Sequence, residues 1–549
     1  MQLGCHQGHH NSMMESYLAT PEEDRFRFVA KIFMLWVDET AFAATATRTL
    51  HAGLMKALQQ EGPLVLEPCN FHNLRMTNFS GLQRLIIVLA AGFAFLSTPS
   101  GAQDLPKAPG AEVFALTPKP GYFTEPAVAV NPKNPQQITA VFQDNAHAAY
   151  SGDSGRSWQV AEGVEPKNYR VSGDVSVAYD NQGHAFICYM AFDKLGTFNY
   201  WGHNASRGGL FVRRSLDGGK TWEVNHVPII EHPTEPGVPA EDKPYIVSDT
   251  TQGPHGGNLY VGWTRWTVKD SEMLFSRSTD DGQTWSKPIE IHSHPGLPRD
   301  DNGAAEGFAG TVGPDGTLYA IWSQDDYVVF AMSRDGGKSF SAARQIIHTA
   351  PIMFAVQTLE RANGFPQIAI DPRNGHLYVS WSDYRNGDLD IWCAMSSDHG
   401  ATWSSPVRVN DDDVHNGADQ FFQWLAVDPT DGAVNVVFYD RRGDKENKNQ
   451  TVTLARSIDG GHVFKNYAWT NESFEASGVF FGDYTGLAAY GGRVYGVWME
   501  KPGDKVKADE KVAGSEEEKS AGPRGTVVKV GVADFNGAGQ NATGRESGQ

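Results

Sequence analysis

Six times the chain repeats an eight-residue pattern, Ser-x-Asp-x-Gly-x-(Thr/Ser/Val)-(Trp/Phe), at intervals of 55 to 64 residues. The copies run Ser151–Trp158, Ser215–Trp222, Ser278–Trp285, Ser333–Phe340, Ser396–Trp403 and Ser457–Phe464. In such a segment the Asp is expected to accept hydrogen bonds from the backbone two residues on, the Gly supplies positive φ, and the hydroxyls add local bonds. Each copy therefore reads as a tight hairpin with its aromatic packed beneath the turn. A repeat of this length makes each unit one small sheet that cannot cover its own faces and stacks on its neighbours.

Two apolar strands precede each hairpin. The first is traced at Pro126–Val130, Val175–Tyr179, Pro244–Val247, Phe308–Val312, Pro366–Ile370, Trp424–Val427 and Tyr484–Ala488, seven in all and one more than the hairpins. The second is plain at Gly257–Trp263, Gly316–Trp322, Gly375–Trp381 and Gly492–Trp498, whose near-continuous apolar character marks strands covered on both faces. A unit thus reads strand A, turn, strand B, loop, strand C, Asp hairpin, strand D, which is a four-stranded propeller blade. The expectation is an all-β, seven-bladed propeller of antiparallel blades over residues 103–535, with a six-bladed ring as the alternative. The seventh unit has a C-like strand, Thr526–Val532, but no Asp hairpin, and Glu112–Thr117 is expected to supply its D strand and close the ring. Residues 502–523 and 536–549 read as a solvated loop and a disordered tail.

The ends bear on location. Residues 1–75 show neither repeat nor sustained periodicity and read as a misassigned upstream extension. Met76 opens a segment with Arg84, the apolar run Leu85–Leu96, and Ser100-Gly-Ala102 before Gln103, the shape of a secretory signal peptide over 76–102. Twelve apolar residues are too few to span a bilayer, so the expected product is secreted or periplasmic with no membrane span. The chain carries 46 Lys and Arg against 65 Asp and Glu, a net charge of −19. Such a balance argues against a nucleic-acid partner, whose phosphates are met by Lys and Arg. Of four cysteines, Cys188 and Cys393 fall in apolar strands of different units and read as buried thiols, with no disulfide framework or metal cluster. No cofactor motif is visible.

The six hairpin aspartates read as structural, because hairpins and A–B turns share one rim while B–C loops and D–A crossovers share the other. Function is expected on that second rim, at the axis. Entering the A strands there are Glu125, Asp174, Asp242 with Lys243, Glu306, Gln367, Asp419 and Asp483 with Tyr484; leaving the B strands are Asp144, Arg265, Asp383 to Arg385, and Asp440 to Arg442. Arg265, Arg385 and Arg441 at equivalent places in three units read as a carboxylate clamp, with Arg442 beside them. Trp201, with Phe198, Tyr200 and His203, reads as an aromatic wall for a sugar.

The hairpins, as in SLDGGKTW and STDDGQTW, resemble the Asp-box or bacterial neuraminidase repeat, and residues 120–500 resemble the six-bladed propellers of the sialidase superfamily. That resemblance implies a tyrosine nucleophile activated by a glutamate, an aspartate acid/base and three arginines on the substrate carboxylate, an exception to carboxylate nucleophiles. GDYTGLAAYGGRVYGVWME is similar to the family's nucleophile-bearing strand, which points to Tyr484; Asp483 and Glu306 are the expected proton acceptors, Asp144 the donor, and Arg265, Arg385 and Arg441 the clamp. At the place of the family's first arginine stands Thr124. The expected function is a secreted glycoside hydrolase of exo-α-sialidase type, a monomer acting on a carbohydrate or glycoconjugate; the alternative is a non-catalytic propeller that binds glycan or protein.

Overall fold

The computed structural model describes residues 105–536 except 144–145, 162–163, 165–167, 170, 194–206, 234–238, 301, 350–352, 355, 360, 471 and 503–524. The upstream extension, the signal-like segment, Asp144, the aromatic run around Trp201, nearly all of the 502–523 loop and all but the first residue of the tail lie outside the described residues.

Seven four-stranded antiparallel sheets follow one another along the chain. Blade 1 is Thr124–Val130, Ile138–Gln143, His147–Ser151 and Gln159–Ala161, and blades 2 to 6 repeat the order with A strands at Val171–Tyr179, Ala240–Ser248, Glu306–Val312, Gln367–Asp371 and Gln420–Val427. Blade 7 takes its A, B and C strands from Gly486–Tyr490, Arg493–Glu500 and Val527–Asp534. Its D strand is Glu112–Ala115, near the other end of the described residues, paired antiparallel with Val532 to Lys529. The ring closes as the strand count anticipated.

Each B strand is buried along its length, as its apolar composition requires, and the cores lie between blades. Phe186, Cys188 and Met190 of blade 2 pack on Ile246, Val261 and Trp263 of blade 3; Cys188 and Cys393 are both buried free thiols. Four B strands end in a fully buried Trp whose indole N–H is satisfied locally. Trp322, Trp381 and Trp498 donate to Gln324, Asp383 and Glu500 two residues on, at 3.1, 2.8 and 2.8 Å, and Trp263 donates to Glu241 at 2.6 Å. Several polar residues at B-strand ends are thus acceptors for buried indoles rather than ligands for a substrate.

The Asp hairpins are built alike. In every copy the Gly N–H donates to the leading Ser Oγ, at 2.8 to 3.0 Å. In five copies a Ser or Thr hydroxyl also donates to the second Asp oxygen at 2.6 Å. These donors hold Asp398 down at about 2, with the Thr402 hydroxyl the leading cause. The hairpins face the preceding blade: Gln137 of the blade 1 A–B turn donates to Asp217 O of the blade 2 hairpin at 3.4 Å, and Arg277 of blade 3 donates to Gly336 O of the blade 4 hairpin at 2.9 Å. They are inter-blade staples.

Candidate active site

The opposite, axial mouth begins with a repeated backbone device. In five blades the A strand opens on a β-bulge, between Thr124 and Ala127, Gly173 and Ser176, Asp242 and Tyr245, Glu306 and Ala309, and Phe421 and Trp424. In blades 1 to 3 the bulged residue is charged and sits at positive φ: Glu125 at 52°, Asp174 at 47° and Lys243 at 49°. Side-chain-bearing residues held there cost about 1–3 kcal/mol each, a strain that clusters at functional sites. All three side chains are buried.

Around them gather Asp242, Glu306, Asp300, Arg361, Asp483 and Tyr484, so six carboxyls face two cations. Lys243 Nζ donates to Asp483 Oδ2 at 3.0 Å and lies 4.0 Å from the Phe365 ring centroid and 5.0 Å from that of Tyr484. Arg361 takes both oxygens of Asp483, Nε to Oδ1 at 2.9 Å and Nη2 to Oδ2 at 2.6 Å, and its Nη1 contacts Asp300. Although burial opposes ionisation, these two cations hold the Asp483 carboxyl down at about 2. The ammonium of Lys243 is correspondingly stabilised against its own burial, first of all by the Asp483 carboxylate.

The remaining carboxyls share protons. Burial, then the neighbouring Glu125, pushes Asp174 up to about 8, while Asp242 and Glu306 are pushed well above the usual carboxylate range, chiefly by burial and then by Asp174 and Asp300 respectively. Asp242 hydrogen-bonds Asp174 and Asp174 hydrogen-bonds Glu125, the bonds favouring protonated Asp242 and Asp174 and ionised Glu125. Glu306 likewise donates to Asp300. Asp242 also accepts from Trp266 Nε1 at 2.7 Å, and the Lys243 N–H donates to Asp174 Oδ2 at 3.0 Å, which fixes this series in place. Tyr484 is raised well above 10 by burial and by Asp174, Glu125, Asp483 and Asp242, and its ring packs on Trp424 at 5.7 Å.

Of the residues expected from sequence, Tyr484, Asp483 and Glu306 therefore come together around Lys243. The four arginines do not gather. Arg265 pairs with buried Glu241 at 2.7 Å, Arg385 contacts Asp383 through Nε at 2.8 Å, and Arg442 binds Asp440 at 2.7 Å. Arg441 is wholly buried over Phe421, donates to Gln357 O, Asn447 O, Thr358 and Gln450, and is pushed down to about 10 by burial. The expected clamp is corrected accordingly: each guanidinium is consumed by its own surroundings, and the arginine at the axis is Arg361. Arg361 and Asp300 lie in crossovers outside the strand repeat, where the sequence carried no motif to mark them.

No family model matches the chain. It is 27 % identical over 215 residues to a sialidase of Bacteroides fragilis, covering 35 % of this chain and 36 % of that one, so the chain spans about a third of the length of the curated relative it matches. Similar solved structures include a protein of unknown function from Dyadobacter fermentans, with 17 % identity over 60 % of this chain and 95 % of that one and a TM-score of 0.40. A leech intramolecular trans-sialidase matches at 13 % identity over 65 % and 68 % of the two chains, also with a TM-score of 0.40. By its ring of seven four-stranded antiparallel blades the chain is a β-propeller, and over about a third of its length it is similar to the Bacteroides fragilis sialidase.

Proposed function

We propose that the chain is a carbohydrate-active propeller, a glycoside hydrolase whose reaction centre is the axial mouth and whose substrate is an acidic sugar of the sialic-acid type. The observation that carries this reading is the hydrogen-bonded series Asp242, Asp174 and Glu125 beside Tyr484. Environments that separate the affinities of neighbouring carboxyls leave one to donate a proton and another to accept one near neutral pH. In this reading Tyr484 attacks the anomeric carbon, Glu125 accepts the phenolic proton, and Asp174 or Glu306 protonates the leaving oxygen, with Asp144 as the alternative donor. Asp483 is a poor base, since two cations hold it ionised; its part is to position Lys243 and Arg361, which the substrate carboxylate would share. Export through residues 76–102, a carbohydrate partner and a monomeric working unit belong to the same proposal.

A second reading, glycan or protein binding without turnover, is supported by the engagement of Arg265, Arg385, Arg441 and Arg442 within the scaffold. The test is incubation of the purified chain with a fluorogenic sialoside and with uncharged aryl glycosides, alongside a glycan array. Sialoside cleavage lost in Tyr484→Phe, with an unchanged circular dichroism spectrum, supports hydrolysis at this site. Glycan binding with no cleavage supports the second reading, and cleavage retained by Tyr484→Phe removes the tyrosine from the mechanism.

A further inference from the structure

We propose a divalent-cation site of the zinc type on the Asp-hairpin rim, at the seam between blades 2 and 3, formed by Asp180, His184 and Asp281. His184 Nδ1 lies 3.2 Å from Asp180 Oδ2 and 3.2 Å from Asp281 Oδ1. Among the described residues this group brings three such ligand atoms within 4.8 Å of one another. A tetrahedral ion with bonds of about 2.0–2.1 Å sets its ligand atoms roughly 3.3 Å apart, so the two short edges already have the required length.

The buried carboxylate gives the independent indication. Asp180 is 1 % exposed, and its Oδ1 accepts the backbone N–H groups of Gln182 at 2.9 Å and His184 at 2.8 Å, which locks the carboxylate plane and turns Oδ2 toward the imidazole. That Oδ2 accepts no hydrogen bond. A single Nδ1–H directed at Asp281 leaves it bare, whereas an ion bound to neutral Nδ1 satisfies all three atoms together. Two of the equivalent turns are completed by donors, Asp371 Oδ2 accepting from Arg373 Nη2 at 2.8 Å and Asp428 Oδ2 from Gly492 N at 2.7 Å, whereas Asp249 Oδ2 of blade 3 also accepts no hydrogen bond but has, among the described residues, no such imidazole and second carboxylate grouped with it. Blade 2 has an imidazole and a second carboxylate where blades 5 and 6 have donors.

The surroundings suit a bound ion. Arg214 contacts Asp281 Oδ2 and donates to Glu223 Oε1 at 3.0 Å, so it orients Asp281 and leaves Oδ1 facing His184, the part an outer partner plays around metal ligands. His184 and Asp281 are 21 % and 24 % exposed, which leaves solvent to complete the coordination. One imidazole nitrogen with two carboxylate oxygens favours zinc over the all-oxygen preference of calcium. The ion would tie the A–B turn of blade 2 to the hairpin of blade 3, adding a coordination bond to a seam the other blades close by hydrogen bonding. Ligands 97 residues apart leave no local motif.

The test uses the full chain, stripped by chelator and titrated with zinc chloride by calorimetry, with thermal unfolding followed in parallel. Because Cys5, His6, His9 and His10 can bind zinc on their own, the readout is the difference from His184→Ala and from Asp180→Asn. The expected result is one more zinc bound by the native chain than by either variant, and a zinc-dependent rise in Tm that both variants lack. Equal stoichiometry in all three proteins, or no zinc-dependent rise that the native chain alone shows, overturns the site.

Discussion

Arg361 meets Asp483 through two parallel contacts, Nε to Oδ1 at 2.9 Å and Nη2 to Oδ2 at 2.6 Å, and so joins the crossover into blade 5 to the start of blade 7. Lys243 reaches the same carboxylate from blade 3. One buried anion therefore ties three blades together at the axis. Removing one member of such a buried group leaves charge uncompensated, a loss of about 3–5 kcal/mol. Asp483→Asn is expected to lower the stability measured by urea unfolding at pH 7 by that order. Since the native carboxyl is held near 2 and an unfolded Asp titrates near about 3.9, this contribution is present above about pH 4 and lost as pH falls through about 2. An equal deficit at pH 7 and pH 2 would show that Asp483 does not act through its charge.

Asp174 works in the other direction. Its carboxyl is pushed up to about 8 from 3.8, so the proton it keeps on folding stabilises the native state fully below about pH 4, and that stabilisation is lost as pH rises toward about 8, at up to about 1.4 kcal/mol per pH unit. Asp174→Asn, which mimics the protonated form, is expected to flatten this slope and to compare more favourably with the native chain at pH 8 than at pH 5. Parallel stability curves for the two proteins would sink the assignment.

The same proton sets the expected rate profile. If Asp174 donates to the leaving group, kcat/KM falls on the alkaline side near pH 8, and Asp174→Asn removes most of the activity together with that limb. An unaltered alkaline limb in the variant would transfer the donor role to Glu306.

The blades were legible because their signals are local and repeated: hairpin chemistry, strand alternation and the spare A strand at Tyr484–Ala488 all pointed to one architecture. The site was legible only in part. Tyr484, Asp483 and Glu306 stand at A-strand openings, which the fold must bring to the axis, whereas Arg361 and Asp300 reach it from crossovers whose path no periodicity specifies. The arginines misled for a readable reason. Asp383 and Arg385, like Asp440 and Arg442, are two residues apart, the spacing that sets side chains on one face of a strand, and each pair is joined in the structure. Arg265 and Arg441 carry no such adjacent signal: their partners, Glu241 on the neighbouring strand and Gln450 with the carbonyls of Gln357 and Asn447, are set by the fold.

Ring closure offers a test of architecture independent of chemistry. Glu112–Ala115 covers the last strand of blade 7, with Leu116 N donating to Val528 O at 2.8 Å and Val528 N donating to Thr117 Oγ1 at 3.0 Å. Deleting the chain through Thr117 exposes the edge of Val527–Asp534, an unpaired row of donors and acceptors open to pairing between molecules. The truncated protein is expected to unfold at lower temperature and to aggregate in light scattering, whereas a cut before Leu105 leaves both unchanged.

The sixth hairpin carries a defect that can be repaired. Val463 stands where the other copies have Ser or Thr; its N–H donates to Asp459 Oδ1 at 3.0 Å, but it has no hydroxyl for the second oxygen, and its side chain is 67 % exposed. In the other five hairpins that hydroxyl lies 2.6 Å from the Asp. Val463→Thr keeps the β-branched shape, removes an exposed methyl and supplies the missing donor. At such an exposed turn one added hydrogen bond contributes toward the low end of about 0.5–1.5 kcal/mol. The variant is expected to raise the urea midpoint with an unchanged slope, and Val463→Ile, which adds bulk without a donor, is expected to leave it where it is. If both raise it equally, the sixth hairpin is limited by packing of its exposed face rather than by the absent hydroxyl.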